Sequence, residues 1–404
     1  MPIDRILAAR LDRRSLLGAT AAAGVSIAMP PALQSRVIGG SSPLASFAGK
    51  RGMILHRARP PLLETSMDVF DRGVFTPNDQ FFVRWHWAGI PTSIDADSFR
   101  LTIRGAVGAS LSLSLAELLR MPRVELAAVN QCSGNSRSLF QPRVPGAQWG
   151  HGAMGNAKWL GVSLLHVLDL AGVRAGATAV RFGALDRATS ADRGLDFDKS
   201  LSLDHARDGE VMIAFAMNGE QLPLLNGFPL RLVVPGWYST YWVKMLSDIE
   251  VLDAADDHYW TAKAYRIPAI PGADVPPGSA GFPTTPINAM VPRSWVTNFA
   301  EGDRVPFEPT LSLRGIALGG DSGVSRVEVS TDGGNRWQDA TLGEDYGRYS
   351  FRQWEAQAPL ASPGPISLQS RCTNQGGVVQ PSVPIWNPSG YMRGNIETTE
   401  VVIA

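Results

Sequence analysis

The chain has little cysteine, no excess of either charge and no apolar run long enough to cross a membrane. Its 404 residues include 2 cysteines, and its Lys+Arg and Asp+Glu totals are both 37. Two cysteines exclude a disulfide-rich scaffold and a four-cysteine zinc site, although they could form one disulfide. The balanced charge gives no general attraction to nucleic acid or to an anionic membrane. Any preference for an anion must therefore arise locally.

The rest of the composition is that of a globular protein. Hydrophobic residues make up 44% of the chain and charged residues 18%. A chain of this length and composition can form two or three domains, each with its own core.

The N-terminus has the pattern of an export signal. Arg13-Arg14 precede an alanine-rich apolar stretch at residues 16–29, which Pro30-Pro31 ends. The stretch is too short for a spanning helix, and Arg-Arg-Ser-Leu-Leu resembles a twin-arginine signal, which exports folded proteins. We therefore expect a periplasmic protein. A basic amphipathic helix of the mature chain is the alternative, and the cleavage position stays open.

Between residues 75 and 265 the pattern mixes apolar strands with short helices. A Ser-Leu-Ala-Glu capping box at Ser114 opens one helix, and a second is predicted at residues 163–171. Residues 266–292 are rich in proline, glycine and threonine, which cannot continue regular structure. This stretch is the predicted linker.

The last hundred residues are predicted to be all-β. Residues 324–330 alternate apolar with polar, an Asp-Gly-Gly turn follows at 332–334, and Trp337 opens a returning strand. Short alternating strands of this kind favour an immunoglobulin-like sandwich. Cys372 is in phase with apolar neighbours, so we expect it to fill the core.

Cys132 and Arg137 lie in a tight polar turn directly after the apolar run at residues 124–129. A thiolate is a soft donor suited to a polarisable transition metal, and an arginine offers a fixed cationic fork for an anion. Together they predict a metal centre that handles a small oxyanion.

Other candidate residues lie on predicted strands. In residues 81–87 a strand would place Arg84 and His86 on one face, although a solvated strand face would explain the pair equally well. Arg231 and Lys244 flank an aromatic-rich loop and would need an anion, such as a phosphate, if buried.

The ordered motifs resemble the molybdenum-cofactor domain of the sulfite oxidase family. The closest match is its bacterial exported sulfite dehydrogenase branch, and the resemblance covers essentially everything after the signal. The matching segments are residues 81–86, 132–137, 150–159, 227–231, 236–244 and 265–266, while 327–334, Trp337 and 384–387 resemble the family's C-terminal dimerisation domain.

The resemblance implies an α+β fold with three parts. These are a signal at residues 1–38, a mixed α/β molybdopterin domain at 39–285 and an all-β immunoglobulin-like dimerisation domain at 286–404.

The resemblance also implies roles for individual residues. Cys132 would be the protein ligand of molybdenum, and Arg84, Arg137 and Tyr265 would line the substrate pocket, with His86 beside them. Tyr265 on its own evidence is an ordinary tyrosine before a loop. The implied cofactor-binding residues are Phe82, Arg84, Trp85, His86, Cys132, Asp186, Asn226, Arg231, Trp242, Val243 and Lys244.

Two departures from the animal enzymes stand out. Their residues matching Asn226 and Tyr241 are histidine and arginine, so this pocket has one cation fewer unless another residue supplies it. The chain has no cytochrome b5-type domain and no Cys-x-x-Cys-His motif. The resemblance therefore implies a molybdenum–molybdopterin cofactor, no haem in this chain, and a separate c-type cytochrome as electron acceptor.

The implied reaction is oxidation of sulfite to sulfate with water as the oxygen source. We expect a homodimer or a heterodimer with a cytochrome subunit, no nucleic-acid partner and no membrane span in the mature chain. Reduction of nitrate or of a sulfoxide by a related molybdopterin enzyme is an alternative. A cofactor-free exported binding protein, with the sandwich as its working part, is another.

Overall fold

The computed structural model describes residues 44–188 and 195–404, so the predicted signal at residues 1–38 lies outside the described residues. Strands dominate this part of the chain. They are β1 (Leu44–Phe47), β2 (Lys50–Arg57), β3 (Leu62–Glu64), β4 (Val83–Arg84), β5 (Arg100–Gly105), β6 (Leu111–Ser114), β7 (Arg123–Gln131), β8 (Met154–Ser163), β9 (Ala179–Ala184), β10 (Lys199–Ser202), β11 (Met212–Met217), β12 (Glu220–Gln221), β13 (Arg231–Val233), β14 (Leu246–Leu252), β15 (Arg266–Pro268), β16 (Thr284–Pro286), β17 (Arg293–Val296), β18 (Arg304–Val305), β19 (Thr310–Leu318), β20 (Val324–Ser330), β21 (Gln338–Asp339), β22 (Thr341–Leu342), β23 (Arg352–Pro359), β24 (Gly364–Asn374) and β25 (Thr398–Ile403).

The helices of the described residues are short. They are α1 (Asp68–Asp71), α2 (Leu115–Arg120), α3 (Leu164–Ala171), α4 (Leu203–Ala206) and α5 (Tyr259–Ala262). None in the described ranges is long and apolar enough to cross a membrane. The first domain is therefore richer in strand than a mixed α/β prediction implies. Central strands such as β11 are buried at every position, so their sequences are continuous apolar runs. A run of this kind does not by itself distinguish a strand from a buried helix.

The two helices predicted in the first domain are confirmed. Helix α2 begins with a complete capping box, in which the Ser114 hydroxyl accepts from the Glu117 amide at 3.2 Å and the Glu117 carboxylate accepts from the Ser114 amide at 2.8 Å. Helix α3 follows Ser163 and ends at Gly172, whose φ of 68° lies in the left-handed region that glycine tolerates. Helix α2 is therefore defined by its capping box, whereas α3 has a glycine cap at its end and no side-chain cap at Ser163.

The first domain is built around two larger sheets with a smaller one beside them. One sheet has the order β10-β9-β14-β5-β6, in which β14 and β5 are parallel. The other has the order β12-β11-β8-β7, and β13 also pairs with β11. A third sheet, β1-β2-β3-β4, carries residues 83 and 84. Side chains such as Ile103, Phe182 and Ile249 from the first sheet share one core with Trp159 and Ile213 from the second.

The proline-rich linker is more ordered than predicted. Strands β15 and β16 lie near its two ends and pair antiparallel, with Ile267 opposite Thr285. The expectation that this stretch holds no regular structure is therefore wrong at its ends. Pro268 and Pro286 are each the last residue of a short strand in a two-stranded sheet, where a missing amide donor costs little.

The second domain is a sandwich of two sheets. One has the order β17-β19-β23-β22, and the other β18-β25-β24-β20-β21. Their facing side chains form a separate core. The predicted hairpin is confirmed, since β20 pairs with β21 and the returning strand starts one residue after Trp337. The immunoglobulin-like assignment stays a prediction.

Cys372 fills the core of this sandwich, as predicted. Its side chain is fully buried, and the thiol donates a hydrogen bond to the Leu318 carbonyl at 3.5 Å. Both Cys132 and Cys372 are free, so the single disulfide that the sequence permits is not formed.

Candidate active site

One cavity collects most of the predicted site residues. It is open to solvent on one side and lies where segments from several parts of the first domain meet. Its walls are formed by Phe82, Arg84, His86, Asn130, Cys132, Ser133, Phe197, Asn226, Arg231, Ser239, Thr240, Trp242, Lys244 and Tyr265.

The segment around β4 supplies one wall by simple alternation. Phe82, Arg84 and His86 line the cavity, whereas Val83 and Trp85 pack into a small core on the other side. Trp85, which was predicted to touch the cofactor, therefore lies behind the wall. Alternation along an extended chain explains the split, although only Val83–Arg84 forms a regular strand. Arg84 and His86 share a face as the sequence predicted, and that face lines a cavity instead of open solvent.

Cys132 lies directly after β7, where the strand ends in a tight loop. Its amide donates to the Ala153 carbonyl at 2.9 Å, and the Asn135 side chain accepts from the Ala153 amide at 3.0 Å. These bonds fix the thiol at the cavity wall. No group of three or more His, Cys, Asp or Glu side chains in the described ranges could hold a metal. A metal bound to Cys132 must therefore take its remaining ligands from a non-protein group.

Arg137 is buried beside the cavity and is not among the side chains that line it. Its guanidinium donates to the carbonyls of Ala147, Ser389 and Gly390 at 3.2–3.3 Å. The guanidinium also packs tightly against Gly134, in a slot with no spare room. A Cβ atom at position 134 would lie within 2.8 Å of three atoms of the Arg137 guanidinium. The predicted contact of Arg137 with substrate stays a prediction.

Two stacked rings connect Arg137 to the cavity. The guanidinium carbon lies 5.1 Å from the centroid of the Tyr391 ring, and that ring stacks on Tyr265 with centroids 5.6 Å apart. Tyr265 carries its hydroxyl to His86, with which it shares a hydrogen bond. Arg137 thus lies on the far side of the Tyr391 ring from Tyr265, and its charge opposes the rise in the Tyr265 pKa that burial causes.

Tyr265 and His86 form the polar centre of the pocket. Tyr265 has a φ of 54°, an uncommon backbone conformation for a bulky residue and one that clusters at functional sites. Burial raises the pKa of Tyr265 well above its usual value. Burial and the charges of Arg84, Lys244, Lys199 and Arg57 hold the pKa of His86 well below its usual value, so the imidazole is neutral at pH 7.

Arg231 and Lys244 add a cluster of cations to the cavity wall. Arg231 donates to the Asn226 carbonyl at 3.0 Å and to Asn130 Oδ1 at 2.8 Å. Lys244 donates to the Arg84 carbonyl at 2.9 Å, and burial with the nearby Arg231 charge lowers its pKa to about 7. Burial likewise lowers the pKa of Arg231 to about 9. The protein as a whole carries no net charge, so this positive cluster is a local feature that suits an anion.

Asp186 and Val243 were also predicted to bind the cofactor. Both are buried, and neither is among the side chains that form the cavity wall. Burial raises the pKa of Asp186 to about 6, and the charge of Lys244 opposes that shift. Asp186 is thus a counter-charge behind Lys244. The Val243 carbonyl accepts from the Leu232 amide at 2.8 Å and fixes the strand that presents Lys244.

Several wall residues were missed by sequence reasoning. Asn130 and Ser133 lie inside the cysteine motif, whereas Ser239 and Thr240 lie in the aromatic-rich loop before Lys244. Nearness to a predicted ligand was the only signal for them. Lys50 had no signal, yet its ammonium lies behind the wall and donates to Asn226 Oδ1 at 2.5 Å and to two backbone carbonyls.

Unpaired polar atoms test whether these residues fit a molybdopterin. Such atoms are buried and have no hydrogen-bond partner among the described residues, and at the cavity they are Arg84 Nη1, Asn130 Nδ2, Ser133 Oγ, Arg231 Nε and Thr240 Oγ1. Buried polar atoms need partners, and cationic ones need an anion. A pterin with a phosphate offers both, and its dithiolene would supply the ligands that a metal on Cys132 lacks. The residues fit the cofactor.

The second domain holds the cysteine loop from outside. The Met392 amide donates to the Ser133 carbonyl at 3.1 Å, and Arg393 donates to the Leu139 carbonyl at 3.0 Å. The buried Arg293 bridges Ser136 Oγ and the Glu397 carboxylate, each at 3.1 Å. The geometry of the loop around Cys132 therefore depends on both domains.

Family profiles match both domains. The profile described as oxidoreductase molybdopterin binding domain matches residues 87–260. The profile described as Mo-co oxidoreductase dimerisation domain matches residues 284–397.

Similar proteins agree with these profiles. The chain is 34% identical over 362 residues to the mitochondrial sulfite oxidase of Macaca fascicularis, covering 86% of this chain and 65% of that protein. It is 33% identical over 358 residues to the sulfite oxidase of Gallus gallus, covering 84% of this chain and 76% of that protein. The chain thus spans slightly less than two thirds of the mammalian relative.

A solved structure shows the same architecture. The sulfane dehydrogenase SoxCD from Paracoccus pantotrophus has 26% sequence identity and a TM-score of 0.71, and the match covers 84% of each chain. The profiles, the relatives and this structure indicate the same cofactor that the cavity fits, which is molybdopterin with molybdenum. The chain belongs to the sulfite oxidase family of molybdenum-cofactor oxidoreductases.

Proposed function

We propose that this chain is a sulfite dehydrogenase, which oxidises sulfite to sulfate, takes the added oxygen from water and passes electrons singly to a separate c-type cytochrome. The observation that carries the proposal is the cavity itself. There the Cys132 thiol shares a wall with Arg84, Arg231 and Lys244, and two of these cations have a buried nitrogen atom with no hydrogen-bond partner among the described residues. The sulfite oxidases among its relatives support the choice of substrate.

Molybdenum held by the pterin dithiolene supplies a two-electron redox change and oxygen-atom transfer. The residues of this chain hold that group. Cys132 would bind the metal as its single protein ligand, and Arg231, Lys244 and Thr240 would bind the phosphate and the polar edge of the pterin. Lys50 supports this part of the wall from behind, through its hydrogen bond to the wall residue Asn226.

Substrate binding falls to other residues of the site. Arg84 has a buried, unpaired Nη1, which can donate a charge-assisted hydrogen bond to an oxygen of sulfite. Held by this bond, sulfite would be positioned in the same cavity as Cys132, the residue that would bind the metal. Arg137, acting through Tyr391 and Tyr265, adds positive potential.

Tyr265 and His86 are suited to proton movement. Sulfite and water yield sulfate, two protons and two electrons, so protons must leave the pocket. The Tyr265 hydroxyl shares a hydrogen bond with a ring nitrogen of His86. This pair offers a hydrogen-bonded path along which a proton can move away from the pocket.

The location and partners follow from the sequence. The twin-arginine pattern supports export to the periplasm, where c-type cytochromes are natural acceptors for single electrons. The match to a dimerisation-domain profile supports a homodimer, or a heterodimer with a cytochrome subunit. The chain carries no net charge, so we propose no nucleic-acid partner.

A second candidate is dehydrogenation of a sulfane sulfur. It is favoured by the match to the sulfane dehydrogenase structure, which covers the same share of both chains. Sulfite is placed first because it is a small anion, which the positive cluster of the cavity suits.

The test is purification of the exported protein with metal analysis, followed by cytochrome c reduction. We expect molybdenum in the purified protein and sulfite-dependent reduction, with label from ¹⁸O-water appearing in sulfate. Nitrate, methionine sulfoxide and a peptide persulfide are run as competing substrates. A protein free of molybdenum would indicate a binding protein, and faster turnover of a competitor would replace sulfite as the substrate.

A further inference from the structure

Lys199 is a buried cation beside the cavity that the proposed chemistry does not use. It opens strand β10, and only 1% of the residue is exposed. Its ammonium lies 4.8 Å from the centroid of the Tyr241 ring and 5.7 Å from that of Tyr265. It donates one hydrogen bond, to the Trp260 carbonyl at 2.7 Å. The ammonium is therefore enclosed by aromatic faces next to a residue of the cavity wall.

Among the residues that the structure describes, no carboxylate forms an ion pair with the Lys199 ammonium. The nearest acid that raises its pKa is Asp256, which already accepts bonds from Ser200 and from the His258 amide and lies 3.7 Å from Arg181. A buried ammonium that has only a carbonyl and aromatic rings as close partners is incompletely compensated, so an anion bound in the neighbouring cavity would be attracted to it.

Lys199 remains mostly charged at neutral pH and acts on the pocket. Burial lowers its pKa to about 8, with the Asp256 charge opposing and the Arg266 charge assisting the shift. Its charge is one of those that depress the pKa of His86, so its field reaches the polar centre of the cavity. In a buried environment such a field is weakly screened.

We propose that the positive charge of Lys199 acts on the pocket across Tyr241 and Tyr265. This charge makes the pocket bind a doubly charged oxyanion in preference to a singly charged one. The inference rests on the proposed oxyanion-binding role of the cavity and names a residue that sets its charge preference. A field acts twice as strongly on a dianion as on a monoanion. The Lys199 charge would therefore raise the affinity for sulfite and sulfate more than the affinity for nitrate.

The experiment measures anion affinity of the molybdenum-loaded protein. Sulfate and nitrate are titrated against wild type, Lys199→Gln, Lys199→Arg and the control Lys263→Gln, which removes the same charge at an exposed position. We expect Lys199→Gln to weaken sulfate binding about tenfold and nitrate binding about threefold. Lys199→Arg should restore most of the sulfate affinity, and Lys263→Gln should change neither. The KM for sulfite should rise with sulfate dissociation, while kcat stays within about twofold.

Lys199→Met, which matches the apolar surroundings, replaces the glutamine variant if that variant does not fold. Equal losses of sulfate and nitrate affinity, or unchanged sulfate affinity at equal molybdenum content, overturn the inference. The two proposals can fail separately. If sulfite is not oxidised but Lys199→Gln still weakens sulfate selectively, the substrate is wrong and Lys199 stands. If sulfite is oxidised with an unchanged KM in Lys199→Gln, the function stands and Lys199 does not.

Discussion

Cys132 and Cys372 lie in two regions of opposite character. Cys132 follows a strand, opens a tight loop and faces a cavity lined by arginines, a lysine and unpaired polar atoms. Cys372 lies inside a strand of the second domain, among apolar side chains, where burial raises its pKa to about 12. The difference teaches that the surroundings of a thiol, more than its burial, decide whether it can bind a metal, since both residues are buried.

The largest expected effect is that of Cys132→Ser. Loss of the single protein ligand should lower sulfite turnover by about a hundredfold or more, because metal ligation tolerates little change. The unfolding temperature should stay close to that of wild type, since the loop is held by backbone bonds. Steady-state kinetics and thermal unfolding check both points. Turnover near the wild-type rate would remove Cys132 from the metal site.

Arg84→Gln should act mainly on substrate binding. Loss of a charge-assisted hydrogen bond worth about 1.5–3 kcal/mol predicts a KM for sulfite raised about ten- to hundredfold. Arg51→Gln is a matched control, because Arg51 is exposed and pairs with Asp79. If both variants keep the wild-type KM, Arg84 lies outside the sulfite path.

His151 tests the contact between the two regions. Its ring shares a 2.8 Å hydrogen bond with Ser136 of the cysteine loop and lies 6.2 Å from Trp295 of the second domain. Burial lowers its pKa from 6.5 to about 4. The unfolded chain therefore binds the proton first as pH falls, so this contribution to stability is complete above pH 6.5 and is lost towards pH 4.

The expected loss is about 3 kcal/mol of unfolding free energy between those two pH values. Denaturant unfolding of wild type and His151→Gln measures it, and the glutamine variant should show a smaller loss. His166→Gln, a change on helix α3, serves as control. Equal pH profiles for wild type and His151→Gln would mean that this histidine does not couple stability to pH.

Cys372→Ala should have the smallest effect. Removal of a fully buried thiol should lower the unfolding free energy by about 1–2 kcal/mol, with kcat and KM unchanged. Denaturant unfolding and the cytochrome assay measure the two quantities. A loss of activity as large as that of Cys132→Ser would end the contrast between the two cysteines.

Local patterns predicted much of the fold and of the site. The capping box at Ser114, the hairpin after β20 and the alternation of Arg84 with His86 depend on neighbouring residues, and the structure contains all three. The short strands β15 and β16 were missed because they pair across the length of a proline-rich loop. Pairing of that kind is set by tertiary contacts that no local period reveals.

The site residues that were missed share the same cause. Lys50 and Lys199 are far in sequence from the cysteine motif, and only the packing of sheets brings their ammonium groups to the cavity. The slot of Arg137 is likewise built from residues more than two hundred positions away, with bonds to the carbonyls of Ser389 and Gly390. Motif order can indicate which residues gather, whereas their orientation depends on the folded chain.

The most direct test of the account is the stoichiometry of a single turnover. Purified protein with a known molybdenum content is mixed with sulfite and excess ferricytochrome c, without oxygen. We expect two cytochromes reduced for each sulfite consumed and one sulfate formed, with a rate of reduction at least about a hundredfold lower for Cys132→Ser. Molybdenum-loaded protein that reduces no cytochrome with sulfite, or an equal rate of reduction by Cys132→Ser, would contradict the proposed function.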